Sequence, residues 1–342
     1  MRQIFFTLIL LIQLMVQVDA FAKADSLTVC VPPYREEFLT LALVVAKSQG
    51  VFEKQNLDVK IKVMADGVTG AKKRTASGII DLESLSDMSV VNSMTNGQDG
   101  CQIGTTAIDA LLAKQPGTLN SMVPLLYSMY GDGYDTALVA TKKSNIKSAS
   151  DLKGKKVRTG HVLTDIAMTR YLAASGMKLS DIKIAELSSW QIEKALADGS
   201  IDAAIAYVPV MPVLLSKSTL SVVKGDLVKT YVQAKVPHAL FVGDKKFVEN
   251  NGALVNRFLT AINSANELIN ISPSEAVYAF KELVSLYADA TGKPNMQWNV
   301  DSVTAEKAAQ FVGKQKLVRS GESVLVNGKA APIFQVVADY HG

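Results

Sequence analysis

A small set of residues in this chain pairs polar or aromatic side chains with places where a strand gives way to a turn or helix. They are Tyr34 and Arg35 after Pro32-Pro33, Gly104-Thr105-Thr106, Tyr130, His161 and Thr164, Ser189 and Trp190, and Tyr207 before Val208-Pro209. These types suit holding a small molecule. Arg35 can present its planar fork to an anionic group, although Glu36 and Glu37 beside it favour surface ion pairing. Thr105, Thr106, Ser188 and Ser189 have hydroxyls that can cap a helix N-terminus, and a capping hydroxyl can also touch a bound molecule. Trp190, Tyr34 and Tyr207 offer flat apolar surfaces with a polar tip, for stacking or for packing. Tyr127 and Tyr134 flank Tyr130 in the same stretch, and His161 stands in a loop before a helix. Arg158, on a short strand, reads as structural.

The same inventory argues against several chemistries. The three histidines, His161, His238 and His341, are scattered, with no clustered metal ligands and no cofactor motif. No Gly-x-Ser-x-Gly elbow exists for a serine hydrolase. The net charge is +4, carried by 29 lysines against seven arginines, with no basic run interleaved with aromatics. Nucleic-acid binding therefore has no support, and a weak preference for anions is all the charge implies.

The elements that would position these residues alternate. Leu27 to Val31 and Leu57 to Val63 read as strands, with a helix over Phe38 to Ser48 that Gly50 stops. Ser89 to Thr95 reads as a short helix, and Cys101 to Ile103 as a strand opening at Gly104 into a helix over Ala107 to Lys114. The pattern recurs in the middle: strand Lys155 to Arg158, helix Thr164 to Ser175, strand Ile182 to Leu187, helix Trp190 to Ala197, strand Ala203 to Tyr207. After a strand over Ala239 to Val242, helices dominate: one or two over Phe247 to Ile269, then Ser274 to Tyr287. Such alternation implies α/β architecture with mainly parallel sheets, and ligands bind such sheets at the carboxyl ends of the strands. The 342 residues, 48% hydrophobic and 20% charged, suffice for two domains with real cores.

The first two dozen residues read as a secretory signal peptide: Arg2, an apolar run over Ile4 to Val16, then Ala20-Phe21-Ala22 and Ala22-Lys23-Ala24. The run spans roughly 20 Å as a helix, too short for a bilayer. Cys30 is too far along to be a lipoprotein cysteine. The expectation is an exported, soluble mature protein beginning near residue 23 or 25. Export permits a disulfide between Cys30 and Cys101, which this architecture puts on neighbouring strands; two buried thiols fit the sequence equally well.

In order, the chain carries Ala46-Lys-Ser-Gln-Gly-Val-Phe-Glu-Lys-Gln-Asn-Leu-Asp-Val59, Asp151-Leu-Lys-Gly-Lys-Lys-Val157, Asp181-Ile182, Ala195-Leu-Ala-Asp-Gly-Ser-Ile-Asp-Ala203, Tyr207-Val-Pro209 and Ser272-Pro-Ser-Glu-Ala276. The set resembles the ABC-importer solute-binding proteins for taurine, alkanesulfonates, nitrate and thiamine-precursor pyrimidines, over roughly residues 26–320. Two stretches depart from that pattern, 65–87, which looks like an insertion, and a long Gly97 to Gly104. The resemblance implies the type II periplasmic-binding fold. Residues 25–143 with 237–342 would form a discontinuous first lobe and 144–236 a second, hinged through Thr136 to Thr141 and Ala239 to Val242. A small organic solute, anionic or heterocyclic, would be held between them by the residues named above, without catalysis, and passed to membrane permease subunits. Ligand contacts to both lobes would favour the closed state. A sensory protein on the same fold, or an exported enzyme, is the alternative reading.

Overall fold

The computed structural model describes residues 23–33, 38–64, 88–107, 110, 120–129, 136–160, 162–207, 210–232, 237–293, 298, 300–309, 316–319, 324–326 and 329–331. Strands β1 (Asp25–Val31) and β2 (Leu57–Val63) pair in parallel, and β3 (Ile103–Ala107) joins β1 on its other side, also in parallel. Then β4 (Met122–Met129) leads to β5 (Thr136–Thr141), β6 (Lys156–Arg158), β7 (Lys183–Ile184), β8 (Ala203–Tyr207) and β9 (Leu220–Gly225). The chain returns through β10 (Pro237–Asp244), and β11 (Leu317–Arg319) adds an edge. Two large sheets result, one ordered β11-β4-β10-β3-β1-β2 and the other β7-β6-β8-β5-β9, and Val324–Val326 pairs with Lys329–Ala331 in a separate two-stranded sheet.

Neither sheet is mainly parallel, which corrects the expectation from strand–helix alternation. β10 runs antiparallel to both β3 and β4, and β5 antiparallel to both β8 and β9. In each case the antiparallel strand arrives from the other sheet, so no crossover helix sets its direction. Hydrogen bonding places Thr136–Thr141 wholly in the second sheet and Pro237–Asp244 wholly in the first. The chain therefore leaves the first sheet after β4 and returns to it with β10.

The first sheet is built around the helix Phe38–Ser48, in which every residue from Leu39 to Ala46 is buried. A helix apolar on all sides must be covered on all sides. Helices Gly252–Ile271 and Ser274–Thr291 cover it, and Phe258 stacks on Phe52 at 5.8 Å while meeting the edge of Phe241 at 5.3 Å. Gly50, at φ 63°, takes the left-handed turn that ends the helix. In the second sheet β5 and β8 are buried on both faces, which explains their unbroken apolar runs. Leu138, Ala140 and Ile205 face a core with the helix Val162–Ala173, whereas Ala137, Val139, Ala204 and Ala206 face Ile192, Val210 and Met211. The helix Ser302–Ala309 packs on both Val210–Leu215 and Ser274–Thr291, so the chain's C-terminal third touches each sheet's helical layer.

Cys30 and Cys101 are disulfide-bonded, with Cα atoms 5.6 Å apart, which settles the alternative in favour of the bridge. The expected helix at Trp190 begins instead as a 3-10 turn, Ser189–Gln191, before helix Ile192–Ala197, and the expected strand Ile182 to Leu187 contracts to β7. No helix among the described residues is long and apolar enough to cross a membrane.

Candidate functional site

The carboxyl ends of β6, β7 and β8 lie at one edge of the second sheet, because these strands are parallel. β5 enters at the same edge, with Thr136 opposite Tyr207. In the first sheet β1, β3 and β4 end, and β10 begins, at one common edge. β4 thus ends at the first of these edges, β5 begins at the second and β10 begins at the first, and such edges are where an α/β protein presents its binding loops.

At the second edge the side chains converge on Arg158, the last residue of β6, which is only 2% exposed. Its Nη1 donates to the Ile205 carbonyl at 2.8 Å, its Nε to the Leu187 carbonyl at 3.2 Å, and its Nη2 to the Ser189 hydroxyl at 3.4 Å. The guanidinium carbon lies 5.4 Å from the centroid of the Tyr207 ring, within cation–π range. The Tyr207 hydroxyl is 3.4 Å from Ser189 Oγ, which closes the cluster. Two carbonyls, a hydroxyl and a ring face make up the Arg158 environment; among the described residues it forms no ion pair with a carboxylate.

Gly160 makes that approach feasible. Its φ of +121° is a conformation side chains rarely adopt, and a Cβ there would meet Arg158 Nη1 at 2.7 Å and Thr164 Oγ1 at 3.4 Å. The Thr164 hydroxyl donates to the Thr159 carbonyl at 2.9 Å and so ties the start of the helix Val162–Ala173 to the end of β6. Asp165 follows in the first turn, fully buried, where a negative charge complements the helix dipole.

Thr164, Ser189 and Tyr207 therefore sit at one edge, in or beside one cluster. Trp190 follows Ser189 directly, half-buried and packed on the core. The Gln191 side chain accepts from the Ser188 backbone N–H at 2.9 Å, fixing this turn. Gly104, Thr105 and Thr106 are placed differently from expectation: β3 continues to Ala107, so they are strand residues and not a loop into a helix. A Cβ at Gly104 would stand 2.4 Å from Val90 Cγ1, so the glycine serves close packing of the helix Met88–Asn96. Thr105 and Thr106 are buried, and the Thr106 hydroxyl donates to the Ala107 carbonyl at 3.1 Å. Tyr127 is buried within β4. Tyr34, Arg35, Tyr130, Tyr134 and His161 lie outside the described residues, as do the leader and the 65–87 stretch. Arg158, which reads as structural from sequence, is the residue whose part in the cluster sequence reasoning did not give; the signal was an arginine at the end of a strand with a glycine two residues on. No cluster of three or more potential metal ligands occurs among the described residues.

The middle of the chain, with this cluster and most of the second sheet, matches a family model described as NMT1/THI5-like. The match spans residues 133–276. A Haemophilus influenzae protein with a provisional thiamine-biosynthesis name is 28% identical over 244 residues, 70% of this chain and 68% of that protein. A Brucella abortus protein provisionally named a binding protein is 22% identical over 308 residues, 90% of this chain and 84% of its own. Among solved structures, the periplasmic aliphatic sulphonate-binding protein SsuA of Escherichia coli superposes with a TM-score of 0.57 at 17% identity, covering 92% of this chain and 91% of that one. The fold is therefore that of the two-lobed periplasmic binding proteins, and the NMT1/THI5-like segment supplies the Arg158 edge.

Proposed function

We propose that this chain is the solute receptor of an ABC importer, which captures a small organic molecule, anionic or heterocyclic, and hands it to permease subunits in the membrane. The observation that carries this is the pair of sheet edges joined by two chain passages, one of them bearing Arg158, Ser189 and Tyr207. In this reading the first lobe holds the β1 sheet with the C-terminal helices, and the second holds the β6 sheet. The lobes close on each other about the starts of β5 and β10, and a solute touching both edges stabilises the closed form. The signal-like leader and the periplasmic relative support export, and a monomer suffices for such a cycle. The binding-protein names of relatives favour capture over catalysis.

The test has two arms. Solution scattering of the mature protein should show a smaller radius of gyration when the solute retained through non-denaturing purification is present. Uptake of that solute should be lost in a deletion strain. Unchanged scattering with unchanged uptake would remove the receptor reading.

A further inference from the structure

We infer that Arg158 anchors an anionic group of the solute, so the second lobe selects a negatively charged ligand over a neutral heterocycle. This rests on the receptor reading and assigns the charge of what that same site takes.

A buried guanidinium with only neutral partners is an incomplete arrangement. Taking a charge out of water costs several kcal/mol unless an opposite charge or a full set of hydrogen bonds replaces the water. Arg158 has five N–H donors, and its contacts with Leu187, Ile205 and Ser189 use three. Among the described residues one N–H on Nη1 and one on Nη2 remain without a partner, and two such donors on one guanidinium can take a sulfonate, carboxylate or phosphate oxygen pair. The carbonyl contacts also fix the fork in place, so little side-chain entropy is lost when an anion docks. Gly160 lies against the same guanidinium and leaves space beside Nη1 that a side chain would fill. The dipole of the helix Val162–Ala173 is already answered by Asp165, so the arginine is the cationic group the edge offers an anion. The Tyr207 ring beside the guanidinium and half-buried Trp190 next to Ser189 supply aromatic surface suited to an apolar body attached to the charged head.

The experiment compares charged and neutral partners of one shape. Thermal unfolding of the mature protein is followed with benzenesulfonate, benzoate, methanesulfonate, sulfate and nitrate against sodium chloride of equal ionic strength. Methyl phenyl sulfone and cytosine serve as neutral probes. At least one anion should raise the melting temperature saturably, and its neutral counterpart should not. Arg158→Met, checked for folding by circular dichroism, should bind that anion about 10- to 100-fold more weakly, the loss of a charge-assisted pair. Arg158→Lys should fall between, and the isostere comparison stands on the native chain if Arg158→Met does not fold. Equal response to the sulfone, no response to any anion, or an Arg158→Met affinity within about twofold would overturn the inference. Native mass spectrometry separates its failure from that of the receptor reading: a neutral or cationic retained solute sinks the anion assignment and leaves a receptor. Unimpaired uptake in the deletion strain sinks the receptor.

Discussion

Arg158 and Gly160, two residues apart, occupy each other's space: the arginine Nη1 lies where a β-carbon on residue 160 would come within 2.7 Å. The arginine cannot swing aside freely, because Ile205, Leu187 and Ser189 hold three of its donors. Gly160→Ala should therefore carry both backbone strain at φ +121° and displacement of the guanidinium. A cost of about 1–3 kcal/mol follows for such a backbone position, lowering the melting temperature by about 1–4 °C in a protein of this size. Thermal unfolding measured by circular dichroism checks this. A variant as stable as the native chain would mean that the β6 edge relaxes more easily than its contacts imply.

Phe258 has the corresponding role in the first lobe. It stacks parallel to Phe52, with 4° between planes, and meets Phe241 edge-on at 85°, so one side chain joins the 51–54 turn, β10 and the helix Gly252–Ile271. Phe258→Ala should cost about 3–5 kcal/mol, the range for emptying a fully packed aromatic site. Urea denaturation of the variant should show a lower midpoint with an unchanged slope. A loss below about 1 kcal/mol would mean the three rings do not form one packed unit.

How much of this was legible beforehand follows from which signals are local. Phe38–Ser48, Leu57–Val63, Thr136–Thr141 and Ala203–Tyr207 occupy their expected positions, since apolar runs, alternation and a stopping glycine act within one element. Gly104 misled because a glycine that breaks a strand and one that admits a neighbouring helix look the same; only Val90 tells them apart. β4 was missed because Pro124 interrupts its apolar run, yet the proline sits beside a register shift against Phe241 and Val242, where a missing N–H is tolerated. Arg158 read as structural for a related reason. Its strand was evident, but the carbonyls and ring that surround it come from residues 187, 205 and 207, which pairing alone brings together.

The disulfide offers a third measurement. It closes a loop of 71 residues between β1 and the start of β3, and that loop contains β2 and the whole 65–87 stretch. Constraining so long a loop in the unfolded chain stabilises the native state by about 2–4 kcal/mol. Reduction, or the pair Cys30→Ala and Cys101→Ala, should lower the denaturation midpoint accordingly. Identical midpoints with and without reductant would show that the bridge contributes nothing once the sheet has formed.

Acid should weaken the second lobe through Asp151. The Lys147 backbone N–H donates to its carboxylate, as do the Ser148 hydroxyl and N–H, and these bonds hold its pKa below the ordinary aspartate value. A carboxyl depressed by folding contributes stability above its unfolded pKa, near 3.9, and loses it as pH falls through the lower folded value. Asp198, bonded by Ser200, and Asp301, bonded by Thr304, act with the same sign. Glu282 acts in the opposite sense, because burial and then Glu275 raise its pKa. The urea midpoint should therefore drop between about pH 5 and pH 3. Asp151→Asn, which cannot ionise, should start lower at pH 5 and lose less on acidification. If the two chains lose stability in parallel over that interval, the Asp151 turn is not a source of the acid sensitivity.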